Sequence, residues 1–439
     1  MGKPAVPIVL SEFYQQETEK ARNEGLPGLR TQWIRGPVLA KTRDELRRDV
    51  INGNNPITGK PVMQEIVEKF TKPLTAEEKK TGEIIRTKGP ATFSDTPEKL
   101  QKMFLDNRWT DFLPVVLPTE ALVEEMLKGT SHRPDEIVGK MSPTQTGTYF
   151  EDWTYTVKDV AVNAVMAGCK PEYLPLLLAV ASTGKEAISV SDNSFVGALV
   201  VNGNIRDEIG LNYGVGAMGP YAHANTTIGR AWSLLSINLG NCGKVGTTYM
   251  GVVGNPMNLI NIVIAENEKQ SPWDPLSVRK GFKKGENIVS LFEGWGVLSA
   301  ANWKAAAWGP VMDYPKAVKD IFDQQGSLFG ACAILSPPIA DFIKNAGYAT
   351  VQDFEKYLTP AAPNYPMAKM GPPAGAKPPV AGAEATPVAA GAQAKTAPKA
   401  KMGGFGPAIS IIVTGATNNN YYSVGGLRYQ RSVQIDPWR

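Results

Sequence analysis

The segment Ala265-Glu-Asn-Glu-Lys-Gln-Ser-Pro-Trp-Asp-Pro275 gathers carboxylates, an amide and an indole directly after an apolar run. Carboxylates and amides leaving the C-terminal end of a strand stand where α/β proteins place their chemistry. Glu266 is therefore a candidate acid or base, Asn267 and Glu268 candidates for binding substrate polar groups, and Trp273 a candidate pocket wall. The same residues also read as a helix entry, with Ser271 as cap and Pro272 at its first position.

Gly214-Val-Gly-Ala-Met-Gly219 matches the spacing G-x-G-x-x-G ahead of a helix. A dinucleotide fingerprint needs a strand directly before it and an acidic residue about 20 positions later. Here Leu211-Asn-Tyr213 precedes it, and LLSINLGN follows from position 234 without a carboxylate, so NAD is not expected. Two readings stay open: Gly214, Gly216 and Gly219 baring amides to an anion at a helix start, or a structural turn. His223 adjoins the loop and is the better base of two histidines, too few for a multi-histidine zinc site. Cys169, next to Lys170 and between two expected helices, is a candidate thiolate if a helix dipole faces it, or else a buried core thiol. Cys242 falls in an expected flexible loop and Cys332 in a core strand, and no CxxC pair exists.

The elements around these residues read as α/β. Residues 1–72 open with Ala5–Leu10 as a strand, a helix over Glu12–Asn23, a strand over Leu29–Ile34 and a helix capped by Thr42. Two strands make no stable parallel sheet alone, so this segment reads as half of a domain completed by a partner. A connecting region, 73–150, carries helices at Ala76–Arg86 and Thr96–Asn107, a strand over LPVV ending at Pro118, and a helix capped by Thr119. The main body, 151–360, alternates helices (Thr156–Ala167, Pro171–Ala181, Asn225–Leu239, Pro338–Asn345, Thr350–Leu358) with strands (Phe195–Val201, Leu259–Ala265, Ala331–Leu335). Residues 361–407 form a Pro/Ala/Gly linker, and 408–439 a β-rich tail that docks onto the body or a partner. No internal repeat is visible.

Composition narrows the classes. With 439 residues, 43% hydrophobic and 20% charged, most of the chain can bury cores. A net charge of +4 is too thin to point to nucleic acid. No apolar window reaches a bilayer span, and the N-terminus does not read as a signal peptide. Three cysteines suggest reduced thiols in a cytoplasm.

The phrases NAVMAGCKPEYLPLLLA, VNGNIRDEIGLNYGVGAMGP, ANTTIGRA and IAENEKQSPWDP resemble a bacterial family encoded with, or fused to, small selenoproteins carrying a selenocysteine-Gly-Ser-Cys motif (the UGSC type). RWTDFLPVVLPTEALVEEML and SIIVTGATNNN are similar to it too. Residues 1–72, with EFYQQETEKARNEGLPGLR, resemble the C-terminal half of the UGSC-type domain itself. The resemblance implies a redox-active selenol or thiol beside this larger body. The motif is absent here, so a small UGSC-like subunit would supply a selenocysteine or a cysteine pair. Gly254-Asn-Pro-Met-Asn-Leu259 stands where the family carries a His and a Lys, and His223 where an Asn or Arg is expected, which points to a different substrate.

These readings converge on the large subunit of a heteromeric cytoplasmic enzyme. It would bind a small polar or anionic substrate, with chemistry at a C–S, C–N or other carbon–heteroatom bond. Cys169 would serve as thiol, Glu266 as acid or base and His223 as proton shuttle. Asn204, Asn225, Arg230 and Asn267 would join the glycine loop, Glu268 and Trp273 in holding substrate. The alternatives are a non-redox lyase or hydratase, and a scaffold subunit without catalysis.

Overall fold

Local signals set many element ends in the computed structural model. It describes residues 5–23, 25–38, 41–80, 92–141, 153–189, 194–219, 221–246, 248–300, 313–325, 331–359, 409–418 and 421–439. The N-terminal layer comprises β1 (Ile8–Leu10), α1 (Tyr14–Asn23), β2 (Gln32–Ile34), α2 (Arg43–Leu46) and α3 (Val62–Thr71). Thr42 and Glu45 form a reciprocal capping box at α2. As the sequence suggests, β1 and β2 pair in parallel, and among the described residues they form a sheet of two strands.

Next come α4 (Pro97–Asp106), α5 (Glu120–Leu127, capped by the Thr119 hydroxyl), β3 (Ile137–Met141) and β4 (Trp153–Thr156). The expected LPVV strand does not form. Residues 113–118 lie outside any sheet, and Val116 N–H donates to Met166 O at 3.2 Å. The expected helix over Ala76–Arg86 is replaced by turns through residue 79, and 81–86 lie outside the described residues.

The body holds α6 (Val157–Ala167), α7 (Leu174–Ala181), β5 (Val196–Asn202), α8 (Ile205–Glu208), α9 (His223–Gly240), β6 (Ile262–Ala265), α10 (Leu276–Arg279) and β7 (Ile288–Ala300). It continues with α11 (Tyr314–Gln325), β8 (Ala331–Leu335), α12 (Pro337–Asn345), α13 (Val351–Leu358), β9 (Ile409–Val413) and β10 (Tyr422–Gln434). The fold is α/β, with one mixed sheet ordered β6-β5-β7-β10-β8-β9.

That order is a palindrome, and it reveals a repeat the residue string hides. Strands β5, β6 and β7 form one unit, whose first two strands are parallel and whose third runs antiparallel to the first. Strands β8, β9 and β10 repeat the pattern. The units join through the long antiparallel pair β7–β10. The expected docking tail thus supplies β9 and β10, the latter a central strand of the sheet.

Alternating side chains sort the sheet's two faces. Leu199, Val201, Val263 and Leu291 pack outward under α6, α7 and α9. Ala331, Ala333, Leu335 and Ile411 pack outward in a second cluster with residues of α11, α12 and α13. Val196, Ala198, Ile264, Phe292, Cys332, Ile334, Ile412 and Leu427 share an inner cluster drawn from all six strands. Sharing it requires the sheet to curl, and glycines permit the bend. A Cβ on Gly294 would fall 1.6 Å from Gly426 O, beside a register shift between Gly425 and Leu427.

An ionic cluster is buried between the approach to β5 and β7. Lys185 Nζ lies 3.2 Å from Glu186 Oε1 and pairs with Glu293. Burial pushes the Glu186 carboxyl up to about 7, with Lys185 pulling the other way. An unfolded Glu titrates near ~4.3, so ionising Glu186 destabilises the fold as pH rises from there through about 7. We expect Glu186→Gln to gain about 2–3 kcal/mol relative to wild type between pH 5 and pH 8, measured by chemical denaturation. A difference that stays flat across that range would contradict the buried, titrating carboxylate.

Candidate functional site

The curl brings the two edge strands together at their C-terminal ends. Asn267 N–H donates to Val413 O at 2.7 Å, and Thr414 Oγ1 donates to Ala265 O at 2.7 Å. The contact respects the repeat: Glu266 N donates to Val201 O and Thr414 N donates to Leu335 O, each just past the second strand of its unit.

Glu266, 1% exposed, sits at this seam. Its Oε2 accepts from Asn202 Nδ2 at 2.7 Å and from Leu276 N at 2.8 Å. Its Oε1 accepts from Val413 N at 3.5 Å and lies 3.8 Å from Arg279. Burial pushes this carboxyl up, against the pull of Arg279. Glu268 accepts from Asn202 Nδ2 at 3.0 Å and Gly203 N at 2.8 Å, and pairs with Arg206 at 3.3 Å. Held between two carboxylates, the Asn202 amide cannot flip, and its buried Oδ1 has no partner. Asn202 and Arg206 are the residues that sequence reasoning missed here; the strand end VVNGNIRDE was their signal.

Several expected ligands instead hold the fold. Asn267 bridges its own turn to Gly415 O at 2.9 Å. Asn225 takes Asn212 N at 2.9 Å and donates to Val263 O at 3.1 Å, pinning the glycine loop to β6. Arg230 makes a two-pronged pair with Asp111 at 2.8 and 2.9 Å. Trp273 is buried against Phe354, with Nε1 donating to Tyr348 O at 3.3 Å. Asn204 is exposed ahead of α8 and makes no side-chain cap.

The glycine loop is built as a run of turns. The Gly214, Ala217 and Gly219 amides are spent on Asn212 Oδ1, Gly214 O and Gly216 O. Gly216 has φ +71, where glycine is needed. Its outward side chains, Val215 and Met218, are apolar and exposed, as is the neighbouring Tyr221.

Cys169 does not sit on a helix N-terminus. It follows the left-handed cap Gly168 that ends α6, its N–H donating to Ala164 O. Although the residue keeps some surface, its thiol is enclosed and burial pushes it up to about 12, against a Thr227 hydrogen bond. Cys242 is likewise buried rather than in an open loop, and burial raises both its thiol and that of Cys332. His223, exposed at the first turn of α9, has Nδ1 3.2 Å from Tyr173 Oη. Thr227 Oγ1 donates to His223 O at 2.8 Å, so Cys169, Thr227, His223 and Tyr173 form one group. Glu266 belongs to the separate seam cluster. Among the described residues no set of three His, Cys, Asp or Glu is placed to hold a metal, and no helix is long and apolar enough to cross a membrane.

No family model, curated protein or solved structure matches the chain.

Glu266 is thus a seam lock. Glu266→Ala strands the Leu276 and Val413 amides and leaves Asn202 Nδ2 with Glu268 alone, so we expect a loss of about 3 kcal/mol. Glu266→Gln, which keeps an acceptor, should lose less. Unchanged melting of the alanine variant would return Glu266 to the role of a free acid or base.

Proposed function

We propose that this chain is the large, substrate-binding subunit of a hetero-oligomeric cytoplasmic enzyme, closed by a smaller subunit that supplies the reactive thiol or selenol. The observation that carries this reading is the outer face of α3. Met63, Val67 and Phe70 recur at spacings of four and three and are 42%, 57% and 47% exposed, and Leu74, just past the C-terminal end of the helix, is 47% exposed. The opposite side of α3, with Val62 and Glu65, is buried. Glu65 there accepts from Gln32 Nε2 at 3.2 Å and Asn55 Nδ2 at 2.5 Å. A helix covering a parallel layer normally turns polar side chains to water, whereas an apolar stripe at this spacing is a helix-packing face. Among the described residues the layer beneath has two strands, fewer than a stable parallel sheet needs. Ile8, Tyr14 and Leu29 of the same layer are exposed as well.

The chain's own cysteines support an external redox atom, because burial disfavours all three thiolates. Exposed His223 with Tyr173 offers a proton relay for such a thiol, in redox or nucleophilic chemistry at a carbon–heteroatom bond. A second reading, a non-catalytic scaffold, is favoured by one observation: Glu266, Asn267, Asn225 and Arg230 are all spent on the fold.

Affinity purification of the full chain from its own host, followed by native mass spectrometry, tests the proposal. We expect a small subunit to co-elute and to take up iodoacetamide under conditions that leave Cys169 unmodified. Val67→Asp with Phe70→Asp should release it without lowering the melting temperature. A chain that elutes alone, or a partner held equally by the double variant, contradicts the proposal. A partner without a reactive thiol or selenol leaves the scaffold.

A further inference from the structure

Lys280 follows α10, the short helix whose Leu276 closes the inner cluster of the curled sheet. Its Nζ stands 4.1 Å from the centre of the Tyr429 ring. Among the described residues that Nζ makes neither a hydrogen bond nor an ion pair, because the carboxylates nearby are taken by its neighbour. Arg279 lies 3.2 Å from Glu355 and 3.8 Å from Glu266, and also donates to Ile411 O. The amine is left with an aromatic face beside a like charge. The ionisable groups around it are Arg279, Glu355, Cys332 and Tyr429. Burial and Arg279 lower the ammonium's pKa, while Glu355 and Cys332 oppose them.

Desolvation and an adjoining cation are the two circumstances that make a lysine nucleophilic. A second observation marks the same inner face. Ser410 pairs in register with Cys332 and alternates with the outward Ile411, so its side chain shares the inner face with Ile412. Ser410 Oγ is buried without a hydrogen-bond partner, an unspent polar group within apolar surroundings. Lys280 and Tyr429 both keep part of their surface open.

We propose that Lys280 is a nucleophilic amine that condenses with a small, uncharged aldehyde or ketone arriving along the Tyr429 ring. The Nζ lone pair adds to the carbonyl carbon, and the resulting carbinolamine takes a proton from solvent on its hydroxyl and loses water to give a protonated imine. Nothing is oxidised or reduced in these steps. The apolar inner residues Phe292, Ile334 and Leu427 favour an uncharged substrate over an anionic one.

The test uses the full chain, acetaldehyde as probe and sodium cyanoborohydride, whose hydride traps each imine as an ethylamine. Peptide mass spectrometry then compares Lys280 with the exposed neighbours Lys283 and Lys284 over a pH series. A lowered pKa enlarges the neutral fraction at a given pH, so Lys280 should react faster than Lys283 and Lys284 at pH 7 and reach its plateau at lower pH. Labelling no faster than that of Lys283 and Lys284, or a shared pH profile, overturns the proposal.

Discussion

The meeting of the two sheet edges at Glu266 is the interaction on which the body depends. A six-stranded mixed sheet with outward helices would leave its inner face bare unless it curled. The bend at Gly294 and Gly426 closes that face on itself, and the seam between Ala265–Asn267 and Val413–Gly415 holds it shut. Glu266 binds backbone amides from two other segments there, Leu276 and Val413, and anchors Asn202 and Arg279. Because the sheet is a doubled unit, one carboxylate serves both halves: its own unit at Asn202 and the other at Val413.

That closure redistributes the polar residues. Groups that look poised for substrate at a strand end are drawn into holding strand ends together. The groups left with spare capacity lie elsewhere. His223 and Tyr173 sit at a helix junction, Asn202 Oδ1 is an unused acceptor at the seam, and Lys280 has lost its carboxylates to Arg279. Electrostatics decides this last point, since a guanidinium with a two-dimensional fan of donors outcompetes a flexible ammonium for the same anions.

Helix caps and apolar strands were legible because their signals are local. Thr42, which caps α2 with Glu45, and Thr119, which caps α5, each fix an end by short-range hydrogen bonding. The run VGALVVN and the parallel pairing of β1 with β2 follow from β-branched residues and helix spacing. Strand β7 was not legible, because FEGWGV carries glycines that read as a loop yet serve as the bend of a long strand. The repeat stayed hidden since its halves share topology without sharing residues: Glu266 answers to Thr414, and Val201 to Leu335. Burial, too, is invisible in a local phrase, which is why Cys169 and Trp273 looked reactive or exposed and are instead enclosed.

The N-terminal layer is the counterpart of the sealed body. On its buried side Gln32, Asn55, Thr58 and Lys69 gather on Glu65. Its outer side keeps an apolar stripe and a two-stranded edge. Hydrogen–deuterium exchange of the segment 5–38 in the isolated full chain and in the complex from its host addresses this contrast most directly. The account predicts outward amides of β1 and β2 that exchange fast in the isolated chain and become strongly protected in the complex. Amides already protected in the isolated chain, or equally unprotected in both, would contradict closure of this layer by a second subunit.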